Sequence, residues 1–267
     1  MEEPLTFHDG MGSSISAVLN APPGSDAVVV LCHGFLSSKN STTNKTLTRL
    51  LTERGIATFR FDFFGQGQSG GRFEDITVSL AVGQAMAAIE YVATRGYRHI
   101  GLVGSSFGGL VGILCAARQP DLACLAFKCP VVDFAEELRL EFGPEELVRW
   151  KATDTIPNIT GGTDRVRIKY VLYEDSLHHI AYEPATKITA PTLIVQGGRD
   201  ELVPLHQSRR LLDSLAGPKR LDLLPDADHQ FTKAEDFHTM TTAIVDWMTT
   251  YLRPNAPLTA LLAVLFD

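Results

Sequence analysis

The sequence predicts an α/β fold in which a mostly parallel, eight-stranded sheet carries helices on both faces and an inserted cap. Six apolar runs of strand length recur between helix-like segments. Near-continuous apolar strands that alternate with helices are typical of a parallel sheet whose two faces are both covered. The chain of 267 residues, 45% of them apolar, is also long enough to bury one large core in a single domain.

The strands are assigned in chain order. Residues 4–8 and 13–20 are predicted to open the sheet as an antiparallel hairpin. The buried strands that follow span Ala27–Cys32, Ala57–Phe61, His99–Gly104, Cys124–Phe127, Thr192–Gln196 and Arg220–Leu224. Their apolar character on both faces places them in the interior of the sheet.

Two of the intervening helices have clear signatures. The segment Gly109–Ala117 is apolar on every side, as expected for a helix that is buried against a sheet. Between Lys233 and Leu252, apolar residues at spacings of three and four form one stripe. This spacing predicts an amphipathic helix late in the chain.

The stretch between Pro130 and Pro191 breaks the alternation of strands and helices, because it is rich in charged and aromatic residues. A helix is predicted to begin at Pro144, since proline is favoured at the first helical position. Alternating apolar and charged residues over 165–172 predict a half-exposed strand or hairpin. The stretch is too long and too patterned for a linker, so we predict a cap.

The chain is therefore predicted to divide into three parts. Residues 1–131 and 187–253 form the sheet core, residues 132–186 form the cap or lid, and residues 254–267 form a C-terminal tail. The tail is apolar, and three interpretations of it stay open. It packs on the surface, mediates self-association into a homodimer, or is disordered.

Composition and charge narrow the class of partner. The net charge of −7 and the pI of about 5.6 argue against nucleic acid and against an anionic membrane surface, both of which select basic faces. No apolar run approaches the roughly 18 residues that a spanning helix needs. We therefore expect a small-molecule substrate.

The termini and the cysteines predict the compartment. The segment Met1–Pro4 is acidic and shows no basic region followed by an apolar one, so no secretory signal is predicted. The cysteines lie in apolar segments without metal-like spacing, which predicts free buried thiols; they are Cys32, Cys115, Cys124 and Cys129. Free thiols indicate a reducing compartment, and we predict a cytoplasmic protein.

The segment Gly104–Gly108 reads Gly-Ser-Ser-Phe-Gly and lies where a predicted strand meets a predicted helix. A Gly-x-Ser-x-Gly segment at such a turn holds its central serine on a strained corner with the hydroxyl exposed. A Cβ at either flanking glycine would collide with the neighbouring strand or helix. Ser106 is therefore the predicted nucleophile. Ser105 fits badly, because Val103 and Phe107 would then take the glycine positions.

A serine hydroxyl needs a base, usually histidine, and the histidine needs a carboxylate that fixes its tautomer. His229 alone among the histidines follows a late strand and directly precedes the last helix. Asp200 comes directly after the strand Thr192–Gln196, and Glu201 is its nearest competitor. Ser106, Asp200 and His229 then occur in the chain order of one large hydrolase fold.

Acyl transfer also requires two N–H donors for the oxyanion. One predicted donor is the backbone N–H of Phe107, at the N-terminus of a helix whose dipole favours negative charge. The other is the backbone N–H of Phe35, in the loop that follows the strand ending at Cys32. The side chain of His33 is assigned to holding that loop.

Together these segments resemble those of the α/β-hydrolases, over nearly the whole chain from about residue 4 to residue 253. The resemblance is carried by His33–Phe35, Asp62–Ser69, Gly104–Gly109, Gly197–Asp200 and Asp228–His229. It implies a serine hydrolase in which Ser106, Asp200 and His229 form the catalytic triad.

Within that family, the cap segment Tyr170–Asp175 resembles the cap of bacterial feruloyl (cinnamoyl) esterases and of serine-aminopeptidase-like hydrolases. Those esterases usually carry residues other than Ser105 and Phe107 beside the nucleophile.

Three aromatic residues of the cap are candidates for substrate contact, with packing as the alternative; they are Trp150, Tyr170 and Tyr173. Asp62 is assigned to bracing its glycine-rich loop. The neighbours His178 and His179 are interpreted as a solvated or packed pair, because adjacent histidines point in different directions. No metal and no cofactor are predicted.

The leading hypothesis is a carboxylic-ester hydrolase that acts on small to medium or aromatic acyl esters through an acyl-enzyme. A thioesterase, peptidase or acyltransferase would use the same triad. A non-catalytic ligand-binding protein with this fold is the alternative from another class.

Overall fold

The structure is a computed structural model that describes residues 2–158 and 166–252. Eight strands form one sheet in the order β1-β2-β4-β3-β5-β6-β9-β10. They span β1 Glu2–His8, β2 Ser14–Asn20, β3 Ala27–Cys32, β4 Ala57–Phe61, β5 His99–Ser105, β6 Cys124–Lys128, β9 Thr192–Gly197 and β10 Lys219–Leu224. The pairs β1–β2 and β2–β4 are antiparallel, and the other pairs are parallel. The predicted mostly parallel, eight-stranded sheet is confirmed.

Helices cover both faces of this sheet. They span α1 Thr42–Glu53, α2 Val78–Thr94, α3 Phe107–Ala116, α4 Phe134–Thr153, α5 Val171–Ser176, α6 Tyr182–Ala185, α7 Leu205–Ser214 and α8 Ala234–Leu252. One core lies between the sheet and α2, α3 and α7, and a second lies between the sheet and α1 and α8.

The two helices with clear sequence signatures form as predicted. All ten residues of α3 are buried, as its uniformly apolar sequence indicates. Helix α8 buries one stripe that includes Met240, Ile244, Met248 and Leu252, against the second core. Together they fix the strand-to-helix turn before α3 and the loop before α8.

Between β6 and β9 lie α4, a short antiparallel hairpin, α5 and α6. Helix α4 has a kink at Gly143, whose φ of 71° and ψ of 170° are not helical. A helical segment does begin at Pro144, but an earlier one begins at Phe134, capped by the Asp133 carboxylate, which accepts the N–H of Glu136 at 2.8 Å. The sequence analysis missed this first segment.

The strand or hairpin predicted over 165–172 is found only in part. Among the described residues of this stretch, strand pairing is limited to β8 Ile168–Lys169, which pairs with β7 Thr155–Ile156. Helix α5 follows and buries Leu172 and Ser176, which are four residues apart. The alternating pattern thus belongs partly to a helix, whose apolar face repeats at three or four residues and not at two.

Two predictions concern residues outside the described ranges: the tail 254–267 and the start of the predicted cap strand, Arg165. The division into core and cap stays a prediction. In the described part of the chain, no helix has both the length and the apolar character needed to cross a bilayer.

Candidate active site

Ser106 occupies the turn between β5 and α3 in a strained backbone conformation. Its φ of 52° and ψ of −118° are rare for a residue with a side chain. Such conformations cost about 1–3 kcal/mol and persist only where the surroundings impose them. Here the Ser106 N–H donates to the carbonyl of Lys128 at 2.9 Å, and the Ser106 carbonyl accepts from Gly109 and Val131. The strain presents the hydroxyl at the carboxyl edge of the sheet.

The glycines beside Ser106 permit close approach of backbone to backbone. A Cβ at Gly104 would lie 2.3 Å from the carbonyl oxygen of Gly108. A Cβ at Gly108 would lie 2.3 Å from the carbonyl oxygen of Cys32, on the neighbouring strand. The predicted collisions are confirmed, and the turn requires glycine at both positions.

His229 and Asp200 are in direct contact. The Nδ1 atom of His229 lies 2.9 Å from each carboxylate oxygen of Asp200, and both side chains are almost fully buried. The carboxylate also accepts the N–H groups of Leu202 and Val203 at 3.0 and 2.8 Å, and the side-chain amide of Gln196 at 2.8 Å. Four donors therefore hold Asp200 in place.

The competitor Glu201 has a different contact. Its carboxylate accepts the backbone N–H of His229 at 3.1 Å and makes no hydrogen bond to the ring. Glu201 thus holds the loop that carries His229, while Asp200 faces the imidazole.

Opposing effects set the ionisation of Asp200. Burial raises the pKa of its carboxyl, but the hydrogen bond and charge of His229 and the N–H of Val203 together lower that pKa below its ordinary value. The carboxylate is therefore ionised near neutral pH and accepts the Nδ1–H of His229. This tautomer leaves Nε2 with its lone pair free to accept a proton.

Ser106 and His229 line the same cavity, which has a volume of about 340 Å³. In the described ranges, the hydroxyl of Ser106 makes no hydrogen bond to the imidazole. Catalytic hydrogen bonds are often long before substrate binds and tighten in the complex. The cavity thus brings together a serine and a histidine–carboxylate pair.

Two backbone N–H groups are available beside this serine. Phe107 begins α3, so its N–H has no partner within the helix. The N–H of Phe35 likewise has no acceptor among the described residues. The rings of Phe35 and Phe107 pack together, with centroids 5.5 Å apart. Both predicted oxyanion donors therefore lie on adjoining segments at the same edge of the sheet.

His33 holds the loop that carries Phe35. Its Nε2 accepts the N–H of Phe63 at 3.1 Å, so its Nδ1 carries the proton that is donated to the carbonyl of Gly34 at 2.7 Å. Burial lowers the pKa of His33 to about 4. The ring is neutral at physiological pH and braces the loop.

Asp62 braces the next loop. Its buried carboxylate accepts the N–H of Lys39 at 2.6 Å and that of Gln68 at 2.8 Å, and it forms an ion pair with the Lys39 ammonium. A Cβ at Gly67 would collide with this carboxylate. These contacts tie the loop after β4 to the loop after β3.

The three cap aromatics form one cluster. The ring centroids of Trp150 and Tyr170 lie 5.5 Å apart, as do those of Tyr170 and Tyr173. Trp150 is fully buried, and its indole N–H donates to the carbonyl of Ile168 at 3.1 Å. None of the three aromatics lines the cavity beside Ser106 in the described chain. Their contact with substrate stays a prediction.

Charged cavity residues were missed in the sequence analysis. Lys128 ends the apolar strand β6, and Glu137 and Glu141 lie one turn apart on α4. Burial, and then the charge of Glu141, raises the pKa of Glu137 to about 8. The sequence did offer one signal for this cation, because a lysine directly follows an apolar strand at the edge of the sheet where the site was predicted.

Within residues 2–158 and 166–252, one group of three metal-type donors lies close together: Cys129, Asp200 and His229, with donor atoms within 4.8 Å of one another. Burial raises the pKa of the Cys129 thiol, so the thiolate that binds metals is disfavoured. Asp200 already accepts four hydrogen bonds. The chemistry of the group fits a histidine–carboxylate pair better than a metal site.

The adjacent residues His178 and His179 have different surroundings, as expected for side chains that point in different directions. His178 is exposed, whereas His179 lies 2.7 Å from the hydroxyl of Ser79 on α2. That hydroxyl also donates to Asp175 at 2.6 Å. These contacts join α5 to α2.

The family Hydrolase_4, described as serine aminopeptidase, S33, matches residues 23–176. Among curated proteins, the palmitoyl-protein thioesterase ABHD10, mitochondrial, of Rattus norvegicus is 24% identical over 229 residues, which cover 84% of this chain and 75% of the relative.

Among solved structures, a putative hydrolase from Agrobacterium vitis has a TM-score of 0.81 at 24% identity and covers 93% of this chain and 99% of its own. Est1E from Butyrivibrio proteoclasticus, bound to ferulic acid, also has a TM-score of 0.81 at 24% identity, with coverages of 92% and 98%. These likenesses show a shared fold.

Proposed function

This chain belongs to the serine aminopeptidase (S33) family of α/β-hydrolases, and from that premise we propose that it cleaves carboxylic esters of small to medium or aromatic acyl groups. The observation that carries the proposal is the contact of His229 with Asp200 in the cavity that Ser106 also lines. In this proposal Ser106, Asp200 and His229 are the catalytic triad.

In the first half of the reaction, Nε2 of His229 takes the proton of the Ser106 hydroxyl while its oxygen attacks the ester carbonyl. Asp200 stabilises the imidazolium that forms. The N–H groups of Phe35 and Phe107 hold the oxyanion, which the dipole of α3 also favours. His229 then gives the proton to the leaving alcohol, and the acyl group stays on Ser106.

In the second half, His229 takes a proton from water, which attacks the acyl-enzyme carbonyl. The oxyanion forms again at the same two N–H groups. Collapse of this intermediate breaks the bond to Ser106, whose oxygen recovers the proton from His229. The products are one carboxylic acid and one alcohol, and no cofactor is consumed.

The cavity wall supports an apolar acyl group. Its apolar side is formed by residues of the oxyanion loop, α4 and β8, namely Phe35, Phe134, Leu138, Phe142 and Ile168. At the mouth, Leu36 and Leu202 are 46% and 45% exposed. Burial of an acyl chain here gains about 0.8 kcal/mol per CH₂.

The proposal is tested with Ser106→Ala. We expect the wild type to hydrolyse 4-nitrophenyl butanoate and to be labelled by a fluorophosphonate probe. Ser106→Ala should lose labelling and lower kcat by on the order of 10⁴–10⁶. The matched control is Ser105→Ala, which removes a neighbouring cavity hydroxyl and should keep the labelling. Persistent activity in Ser106→Ala would show that the nucleophile is another group.

Thioester hydrolysis is the second candidate, favoured by the name of the curated relatives. The same triad and oxyanion donors serve a thioester, whose leaving group is a better one than an alcohol. Matched ester and thioester substrates of equal acyl length decide between the two. We expect the ester to have the higher kcat/KM; a thioester preference of several decades would replace the esterase assignment.

The cytoplasmic location stays our prediction, although the palmitoyl-protein thioesterases among the curated relatives have the word mitochondrial in their names. Fractionation of the cells that express the protein, with markers for each compartment, tests it. Recovery in an organelle fraction would contradict the prediction.

A further inference from the structure

Lys128 is a buried cation in the wall of the cavity. It ends β6 and is only 4% exposed. Its carbonyl accepts the N–H of Ser106, and its backbone is held between β5 and β9. The part of Lys128 that reaches the cavity is therefore its side chain. Its ammonium lies 5.5 Å from the centroid of the Phe231 ring.

The ammonium of Lys128 makes no hydrogen bond or ion pair in the part of the chain that is described. Burial lowers its pKa, and the charges of Asp200, Glu201 and Asp228 act in the opposite direction. Each of these carboxylates is already bonded elsewhere: Asp200 and Glu201 to His229, and Asp228 to the loop that follows it. The donors of Lys128 thus stay free for a ligand.

The N-terminus of α1 lines the same cavity through Ser41 and Thr43. Ser41 caps the helix by accepting the N–H of Asn44 at 3.2 Å. The other N–H groups at the start of a helix have no carbonyl acceptor one turn earlier within the helix. The start of a helix favours anions, through both its free N–H groups and its dipole. Ser41 and Thr43 also line a second cavity of about 540 Å³, which Thr232 lines as well.

In the proposed reaction, the side of the cavity that holds Lys128 and the N-terminus of α1 faces the leaving group. His229 must reach the leaving oxygen in order to protonate it, so the alcohol lies on the side of His229. Gln230 follows His229 and lines both cavities, next to the start of α1. The apolar wall of α4 then faces the acyl group.

We propose that Lys128 and the N-terminus of α1 form a leaving-group subsite that binds an anionic group, a carboxylate or a phosphate, on the alcohol or thiol portion of the substrate. This inference rests on the proposed esterase function and narrows its substrate class.

The carboxyls on the other wall are compatible with an anion at Lys128. Glu137 and Glu141 belong to α4, on the acyl side, and neither forms an ion pair with Lys128 in the described chain. Burial raises the pKa of both carboxyls, and that of Glu137 reaches about 8, so Glu137 is mostly protonated near neutral pH. The cation therefore dominates its own end of the cavity.

The test compares two chromogenic esters that differ by one carboxylate on the leaving group: 4-nitrophenyl butanoate and 3-carboxy-4-nitrophenyl butanoate. Lys128→Met removes the charge and shortens the unbranched side chain by only one atom. We expect kcat/KM for the carboxylated ester to fall by about 10- to 100-fold more than that for the neutral ester, chiefly through KM. The matched control Lys187→Met removes an exposed lysine and should change neither value.

An equal fall for both esters would overturn the inference, because Lys128 would then act through the triad or the fold. The inference would also be overturned if the neutral ester is hydrolysed and the carboxylate on the leaving group does not change kcat/KM in either the wild type or Lys128→Met. If the wild type hydrolyses neither ester, the proposed function itself fails, and the two failures are thus distinguishable.

Inhibition of the wild type keeps the inference testable if Lys128→Met does not fold. We expect 3-hydroxypropanoate to compete at least about tenfold better than 1-propanol, and equal inhibition would overturn the inference. Comparison of 3-hydroxypropanoate with 2-hydroxyethyl phosphate then identifies the source of the anion, since the preferred group inhibits at the lower concentration.

Discussion

At Asp200, four donors converge on one carboxylate, and only one of them is the imidazole. The remaining donors hold the carboxylate in place independently of the ring of His229. Gln196, one of these donors, is itself held by the hydroxyl of Ser208 at 2.7 Å. The position of the imidazole is therefore set by a chain of contacts that extends to α7.

Replacement of Asp200 by Asn tests this arrangement. An amide donates to Nδ1, which favours the tautomer with the proton on Nε2 and so blocks proton abstraction from Ser106. We expect kcat to fall by about 10⁴ with little change in thermal stability. Steady-state kinetics with 4-nitrophenyl butanoate measure the loss. Glu201→Gln, the matched control, should stay within about tenfold of the wild type, because its contact is to a backbone N–H.

Glu137 gives the protein a pH-dependent stability. One of its carboxylate oxygens is buried without a partner among the described residues, and burial raises its pKa from 4.5 to about 8. Between these values the folded state binds a proton that the unfolded state has lost, so stability falls as pH rises through this window. Glu137→Gln removes the titration. We expect its Tm to gain on that of the wild type as pH rises, and a gap that does not change with pH would contradict the assignment.

The positions of Ser106, Asp200 and His229 could be predicted because each lies in the turn or loop that follows a strand, and parallel strands end at one edge of a sheet. The alternation of strands and loops along the chain is visible in the sequence itself. Lys128 and Glu137 were missed, because the direction of a side chain depends on packing that a local pattern does not contain. Lys128 comes one residue after the predicted strand Cys124–Phe127, and Glu137 lies before Pro144, where no helix was predicted.

Among the elements, the buried strands were the most predictable. β3 and β4 have the predicted bounds, since continuous β-branched and aromatic runs leave few alternatives. Between β6 and β9, α4 is divided at Gly143, and its first half starts at Phe134 without a strong apolar stripe. Phe134 packs against the rings of Phe35 and Phe107, and Arg139 donates to the hydroxyl of Tyr173 on α5. Short-range periodicity does not record these contacts.

A comparison of Gly83 with Gly143 separates the effect of backbone conformation on stability from the effect of steric crowding. A Cβ at either Gly83 or Gly143 would meet nothing within 4 Å, but Gly143 has a φ of 71° and Gly83 lies inside α2. Gly83→Ala should stabilise the protein by about 0.5–1 kcal/mol through helix propensity. Gly143→Ala should destabilise it by about 1–2 kcal/mol, because alanine resists a positive φ.

Chemical denaturation of both variants measures these two changes. Equal effects of the same sign would show that the kink at Gly143 does not require its positive φ. Each substitution adds one methyl group in open space, so each variant serves as the control for the other.

At the scale of the whole molecule, the sheet separates two cores and presents the site at the edge between them. Cys32 and Cys115 pack in the core below α2 and α3, whereas Cys124 and Cys129 pack in the core below α8. Ser106 lies on β5–α3 and His229 on the loop before α8, so each core supports one half of the site. A local loss of packing in either core would therefore separate the two halves.

The thiols report on both cores at once. All four are buried, and burial raises the pKa of Cys115 and of Cys124 to about 12. Since the thiolate is the reactive form, we expect the native protein to resist Ellman's reagent near neutral pH. In denaturant all four thiols should react. The rate in dilute denaturant should follow the loss of the proposed esterase activity, because opening of either core disrupts the site. Rapid modification of a thiol in a fully active enzyme would contradict this coupling between the cores and the site.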